Sequence, residues 1–229
     1  MVSIDKITQK TNNKFVNLYD LDVTHKNGRQ SHYYVASRAK NESELKIRTG
    51  ENHPDGVIIY SIYGPARDKV VLIRQYRFCI GDYVYEFPAG LVEKGEDYRE
   101  AAVREMHEET GLNLTPLDVD PMFEEPRFTT VGLTDESCAT VYGYTDGEIS
   151  DRFMEETENI EIVLADRDEV RRILKEEKVA IMCAYQLMHF LVDDDPFAFL
   201  TKQSLGADSC TAEAVWHRRN GINWITRPK

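Results

Sequence analysis

The segment from Gly90 to Leu112, GLVEKGEDYREAAVREMHEETGL, constrains this chain more than any other stretch. Asp97 and Glu100 fit a capping box, with the Asp side chain accepting the N3 amide, so a helix is expected to start at Asp97. Gly111 suits the residue just past its end, where a left-handed conformation is common. On such a helix Glu105, Glu108 and Glu109 stand at i, i+3 and i+4, which is one face. Ala102, Val103 and Met106 form an apolar stripe roughly a quarter turn away, at about 100° per residue. The carboxylates therefore stand beside a buried face, where they can line a cleft. Like charges at this spacing repel, and a divalent cation removes the penalty, because hard cations take carboxylate oxygens as ligands. For an isolated E-x-x-E-E, a solvated acidic face is the alternative.

The rest of the chain reads as strands and then helices. Phe15–Val23 and Ser31–Arg38 flank an Asn27-Gly28 turn, a hairpin signal. Lys40–Gly56 is polar and reads as a connector. Val57–Tyr63, Lys69–Tyr76 and Tyr83–Phe87 follow as strands, the first two separated by Gly64-Pro65. Cys138–Tyr144 and Asn159–Leu164 are further strand candidates; Met122–Phe128 is a weaker one, interrupted by Pro126. Asp166–Lys175 opens with a second Asp-x-x-Glu box. Ala180–Val192 places Ile181, Ala184, Tyr185, Met188, Leu191 and Val192 on one helical face, which is expected to be buried. The last 35 residues from Asp195 show no clear period. They fit either a packed tail or an interface arm. The expected division is an N-terminal β-unit over 1–54, an α/β domain over 55–194 and a tail over 195–229.

Forty Asp and Glu against 28 Lys and Arg give a net charge of -12 over 229 residues. The basic footprint of a nucleic-acid binder is missing, and an anionic membrane is an unfavourable partner. A phosphate-bearing ligand would need a local Arg cluster or a metal ion. Cys79, Cys138, Cys183 and Cys210 are scattered without a C-x-x-C pair, which argues against zinc and for free thiols in a reducing compartment. The polar stretch Met1–Lys14 lacks a signal-peptide core. Ala180–Val192 is too short to span a bilayer. A cytoplasmic protein is expected.

The wider spacing around the acidic helix is Gly90, five residues, Glu96, seven residues, then Arg104-Glu105-Met106-x-Glu108-Glu109-x-Gly111-Leu112. It resembles the Nudix box, G-x5-E-x7-R-E-U-x-E-E-x-G-U with U apolar, at all seven fixed positions and both apolar ones. The resemblance implies the Nudix α/β/α sandwich, a mixed sheet between helices, here with an N-terminal antiparallel β-unit added. It also implies hydrolysis of a nucleoside diphosphate linked to another group, with Mg2+ as cofactor and Mn2+ as the alternative ion. Glu105, Glu108 and Glu109, joined by the Ala89 carbonyl, would be the metal ligands, Glu105 and Glu109 foremost. Arg104 would orient the carboxylates, Glu96 would brace the loop, and Gly90 opens the motif.

The string RQYRFCIGDYVYEFPAGLVEKGE, Arg74–Glu96, is similar to the ADP-ribose pyrophosphatase branch, where E-[FL]-P-A-G leads into the box. By that resemblance Arg77 contacts the diphosphate and Glu86 lies near metal and substrate; a surface arginine and a strand-end carboxylate are the plainer readings. The branch implies a homodimer whose N-terminal β-units cross to the partner. Phe15 and Tyr33 would then stack on the base, with Arg38 nearby, or serve simply as core. The general base would be Glu158, with Glu156 next, in the acidic run Met154–Ile162. One departure stands out: Val131 occupies the proline position of the branch's Pro-Gly pair. That leaves UDP-glucose- or GDP-mannose-type sugars beside ADP-ribose. A non-catalytic ligand sensor on the same fold is a third reading, although such proteins tend to lose box glutamates and this chain keeps them.

Overall fold

The structure is a computed structural model that describes residues 2–154 and 159–200. A three-stranded antiparallel sheet comes first: β1 (Ser3–Gln9), β2 (Asn17–Thr24) and β3 (Gln30–Ser37), in the order β1-β2-β3. The β2–β3 hairpin turns at Asn27-Gly28 as expected, with Gly28 at φ 80. Its register pairs Asn17 with Ser37 and Leu21 with Tyr33. Strand β1 escapes sequence reading because SIDKITQ carries only two apolar residues, Ile4 and Ile7. Alternation sends Tyr19, Leu21 and Ile7 into a small core with Leu45 and Ala39. A short helix α1 (Lys46–Thr49) ends at Gly50 and leads to the main sheet.

The main sheet holds β4 (Gly56–Tyr63), β5 (Lys69–Arg77), β6 (Asp82–Glu86), β7 (Ala89–Leu91), β8 (Asn113–Pro116), β9 (Arg127–Phe128), β10 (Ser137–Asp146) and β11 (Ile160–Ala165). Its backbone order is β11-β5-β4-β10-β8, with β6, β7 and β9 pairing β5, β4 and β10. The β4–β10 pair is parallel and the others are antiparallel, so the sheet is mixed as expected. Both faces are covered, which explains why β4 and β5 read as continuous apolar runs. Val57, Ile59 and Val71 face α2 (Tyr98–Thr110), while Tyr60, Ile62 and Leu72 face α4 (Arg167–Glu176) and α5 (Ile181–Val192). Phe197 and Leu200, at the start of the segment read as the tail, lie in the second of these cores.

Two expectations are corrected. Met122–Phe128 is not a strand. Pro121 at the first turn and the Asp120 cap make Pro121–Glu124 a short helix, α3, and only Arg127–Phe128 bridge to β10. On α5 the buried residues are Cys183, Leu187 and Phe190. Ile181, Tyr185, Met188 and Val192, expected inside, are exposed. The helix is apolar on more than one face, so periodicity alone did not select the one that packs.

Candidate active site

Helix α2 fixes the acidic face. The Asp97 side chain caps it by accepting from the Arg99 amide, at N2 rather than the expected N3. Ala101, Ala102 and Met106 are wholly buried against the sheet. Burial of a side chain like Met106 contributes about 1.5–3 kcal/mol. Gly111 ends the helix at φ 74, and a Cβ there would lie 2.7 Å from Ser150 Cβ, so glycine is required twice over.

Strand β7 brings the other half of the site. It pairs antiparallel to β4, with Val57 opposite Gly90 and Ile58 opposite Ala89. The Ala89 amide donates to Glu109 Oε2 at 3.1 Å, and Glu109 is only 3% exposed. Glu105 lies over Gly90 so closely that a Cβ on Gly90 would be 1.8 Å from the Glu105 carboxyl carbon. The glycine thus makes room for the carboxylate.

Arg104 ties the carboxylates together. Its Nε and Nη2 donate to the two oxygens of Glu96 at 2.9 and 3.0 Å. Its Nη1 donates to Glu105 at 2.8 Å and to Glu108 at 2.9 Å, and Nη2 also reaches the Leu91 carbonyl at 3.1 Å. These bonds, Glu96 foremost, push the guanidinium further up from its already high value. In return Arg104, aided by the Glu93 amide, holds the Glu96 carboxyl below its ordinary 4.5. Three carboxylates share one guanidinium here, and Glu109 adds a fourth on the same helix, an excess of negative charge in hard oxygen donors that suits a divalent cation such as Mg2+. The Gly90 cradle and the nearly buried Glu109 fit the same ion.

On the neighbouring strand end, Arg77 Nε and Nη2 make a bidentate pair with Glu86, both bonds 2.7 Å. Glu86 first, and then the charge of Glu109, push the Arg77 guanidinium up. Its Nη1 has no partner among the described residues. The string EFPAG runs from Glu86 at the end of β6 to Gly90 in β7.

The N-terminal sheet closes the other side through the loop Thr129–Glu136. Ala36 N donates to the Leu133 carbonyl at 2.9 Å, the Tyr33 hydroxyl to the Gly132 carbonyl at 3.0 Å, and Arg38 Nε to Glu136 at 2.9 Å. Between them lies an apolar cavity of about 210 Å³, lined by Leu21, Val35, Leu45, Ile47, Phe128 and Val131 among others. Val131 itself is exposed in a turn closed by the Thr130 carbonyl, formed without proline. Phe15 and Tyr33 are both exposed, but one chain does not stack them. Phe15 precedes Asn17, which pairs with Ser37, four residues along β3 from Tyr33, or about 13 Å. Glu156 and Glu158 lie outside the described residues. Sequence reading missed Glu136, the partner of Arg38; its signal was only an acidic residue in a turn-rich loop.

Among the described residues, ligand atoms already within 4.8 Å of one another occur at Asp20, Asp22 and His32, on the N-terminal sheet face opposite its core. There His32 Nδ1 lies 2.9 Å from Asp20 and 3.1 Å from Asp22, with Lys10 3.5 Å from Asp20. This group lies apart from the acidic helix, where Arg104 Nη1 sits between Glu105 and Glu108.

The fold is a mixed sheet between helices, with an arginine-bound acidic helix face over a glycine strand. The chain belongs to the Nudix family: the NUDIX domain model matches residues 52–184. It is 34% identical over 125 residues to a putative nudix hydrolase 2 of Caenorhabditis elegans, covering 51% of this chain and 54% of that one. The chain thus spans about half of that relative's length. It is 25% identical over 170 residues to an ADP-ribose pyrophosphatase of Bacillus subtilis, covering 72% and 79%. A solved structure described as an ADP compounds hydrolase shares the fold, with a TM-score of 0.55 and 17% identity over 96% of each chain.

Proposed function

We propose that the protein hydrolyses the pyrophosphate bond of a nucleoside diphosphate sugar, with ADP-ribose the leading substrate and AMP and ribose 5-phosphate the products. The observation that carries this is the seating of Glu105 on Gly90 and of Glu109 on the Ala89 amide, with Arg104 gripping Glu96, Glu105 and Glu108. The name of the Bacillus subtilis relative, an ADP-ribose pyrophosphatase, supports the substrate.

Glu105, Glu108, Glu109 and the Ala89 carbonyl would hold Mg2+, with Mn2+ as substitute. When bound, the cation neutralises diphosphate charge and makes a water more acidic. Arg104 keeps the carboxylates oriented, and Glu96 keeps Arg104 in place. Glu86 positions Arg77, whose remaining donor can meet a phosphate oxygen. Glu158, then Glu156, are the candidates to take the proton of the attacking water. A cytoplasmic homodimer, with Phe15 and Tyr33 on the base and Arg38 beside them, completes the proposal. Val131 at the proline position favours testing other sugars in parallel.

The test is a panel of ADP-ribose, UDP-glucose and GDP-mannose with Mg2+ and with EDTA, products identified by chromatography. AMP and ribose 5-phosphate formed only with the cation support the proposal. Undiminished turnover in EDTA, or no turnover of any member, refutes it.

A further inference from the structure

Helix α5 carries an apolar stripe that faces outward. Ile181 is 66% exposed, Tyr185 62%, Met188 50% and Val192 82%. Their spacing of i, i+4, i+7 and i+11 makes one continuous strip along a 12-residue helix, about 18 Å long. Contiguous apolar surface of this kind marks a covered site rather than a solvated one. The opposite face of α5 is already filled by Cys183, Leu187 and Phe190 packed on the sheet.

We propose that the strip is the docking surface for the chain's own residues 201–229. Three observations select this occupant. The first is position. Leu200 is anchored in the core, and the Phe199 ring lies 5.2 Å from that of His189, so the segment departs beside the last turn of α5. Its 29 residues far exceed the reach needed, since an extended chain covers about 3.3 Å per residue. The second is charge. The segment has five Lys and Arg (Lys202, Arg218, Arg219, Arg227, Lys229) against two acidic residues, Asp208 and Glu213, in a chain of net charge -12. The strip ends at Val192, followed directly by Asp193, Asp194 and Asp195. The third is apolar content: Val215, Trp216, Ile222, Trp224 and Ile225 flank those arginines. Tethering favours this segment over a second copy, because a short linker presents it at an effective concentration of roughly millimolar.

The experiment uses the full chain and needs no label. The protein has two tryptophans, Trp216 and Trp224, both in this segment, so intrinsic tryptophan emission reports on it alone. Docking predicts native emission that is blue-shifted from the urea-unfolded chain and protected from acrylamide, independent of protein concentration. Met188→Glu and Tyr185→Arg, at exposed positions, should shift emission to the red and raise quenching while far-UV circular dichroism stays unchanged. The Arg218→Glu/Arg219→Glu variant should do the same without touching α5, as should high salt. Native emission and quenching equal to those of the unfolded chain overturn the proposal. So does a blue shift that the α5 variants leave intact, or one lost on dilution, which would assign the strip to a second copy.

Discussion

Substituting Gly90 by alanine isolates the site's key contact. The Gly90 backbone is not in the left-handed region, so alanine brings no backbone strain. Its Cβ, however, would lie 1.8 Å from the Glu105 carboxyl carbon and 2.1 and 2.3 Å from the two oxygens. Ordinary contact begins at 3.4 Å, so the carboxylate must retreat by about 1.6 Å. The group that moves is the end of a flexible side chain, so the stability cost falls at the low end of overpacking, about 1 kcal/mol. Catalysis should suffer far more. A misplacement of about 1 Å costs on the order of 100-fold, or about 2.7 kcal/mol of transition-state stabilisation. The assay is kcat/KM on ADP-ribose with Mg2+, alongside thermal unfolding. In a Glu105→Ala background the clash disappears, so the Gly90→Ala stability cost should vanish, a coupling that double-mutant analysis reads directly. If Gly90→Ala retains activity within about twofold of the parent while Glu105→Ala does not, the proposed contact is not what catalysis uses.

Three other perturbations probe neighbouring features. Because Arg104 lowers the Glu96 pKa in the folded state, Glu96 contributes stability that is complete above its ordinary 4.5 and is lost as pH falls through the lower folded value. Glu96→Gln should therefore cost about 1 kcal/mol at neutral pH and nothing once the pH is below that folded value, as measured by urea unfolding at each pH. Burial pushes the Cys138 thiol up to about 11 and raises that of Cys183 as well, whereas Cys79 is exposed at the β5–β6 turn. Iodoacetamide at pH 8 with peptide mapping should modify Cys79 well before those two; equal rates would contradict the packing. Arg38 and Glu136 form a part-exposed pair, so a double-mutant cycle should give a coupling of about 0.2–1 kcal/mol, and zero coupling would show that the pair does not hold the loop.

Much of the site was legible because it is local. Gly90, Glu96, Arg104 and the three glutamates fall within a few turns of chain, and helix geometry alone places the carboxylates on one face. The capped starts at Asp97 and Asp166 were equally readable, the latter with its side chain accepting from both Asp168 and Glu169. What escaped depends on distant partners. The close seating of Glu105 on Gly90 needs β7 paired to β4, and Glu136 meets Arg38 only when the N-terminal sheet packs on the Thr129–Glu136 loop. Strand β8 escaped as well: Asn113–Pro116 is too short for its pattern to show and is recruited by pairing with β10. The outward face of α5 was misassigned for a related reason. Two apolar stripes share the helix, and the sheet it meets decides which is buried.

The central claim is that the acidic face of α2 binds a divalent cation together with a diphosphate. Isothermal titration of Mg2+ into the protein, saturated with a non-hydrolysable ADP-ribose analogue, tests it most directly. Saturable uptake that Glu109→Gln abolishes, with circular dichroism unchanged, is the predicted result. No uptake, or uptake indifferent to Glu109, contradicts it.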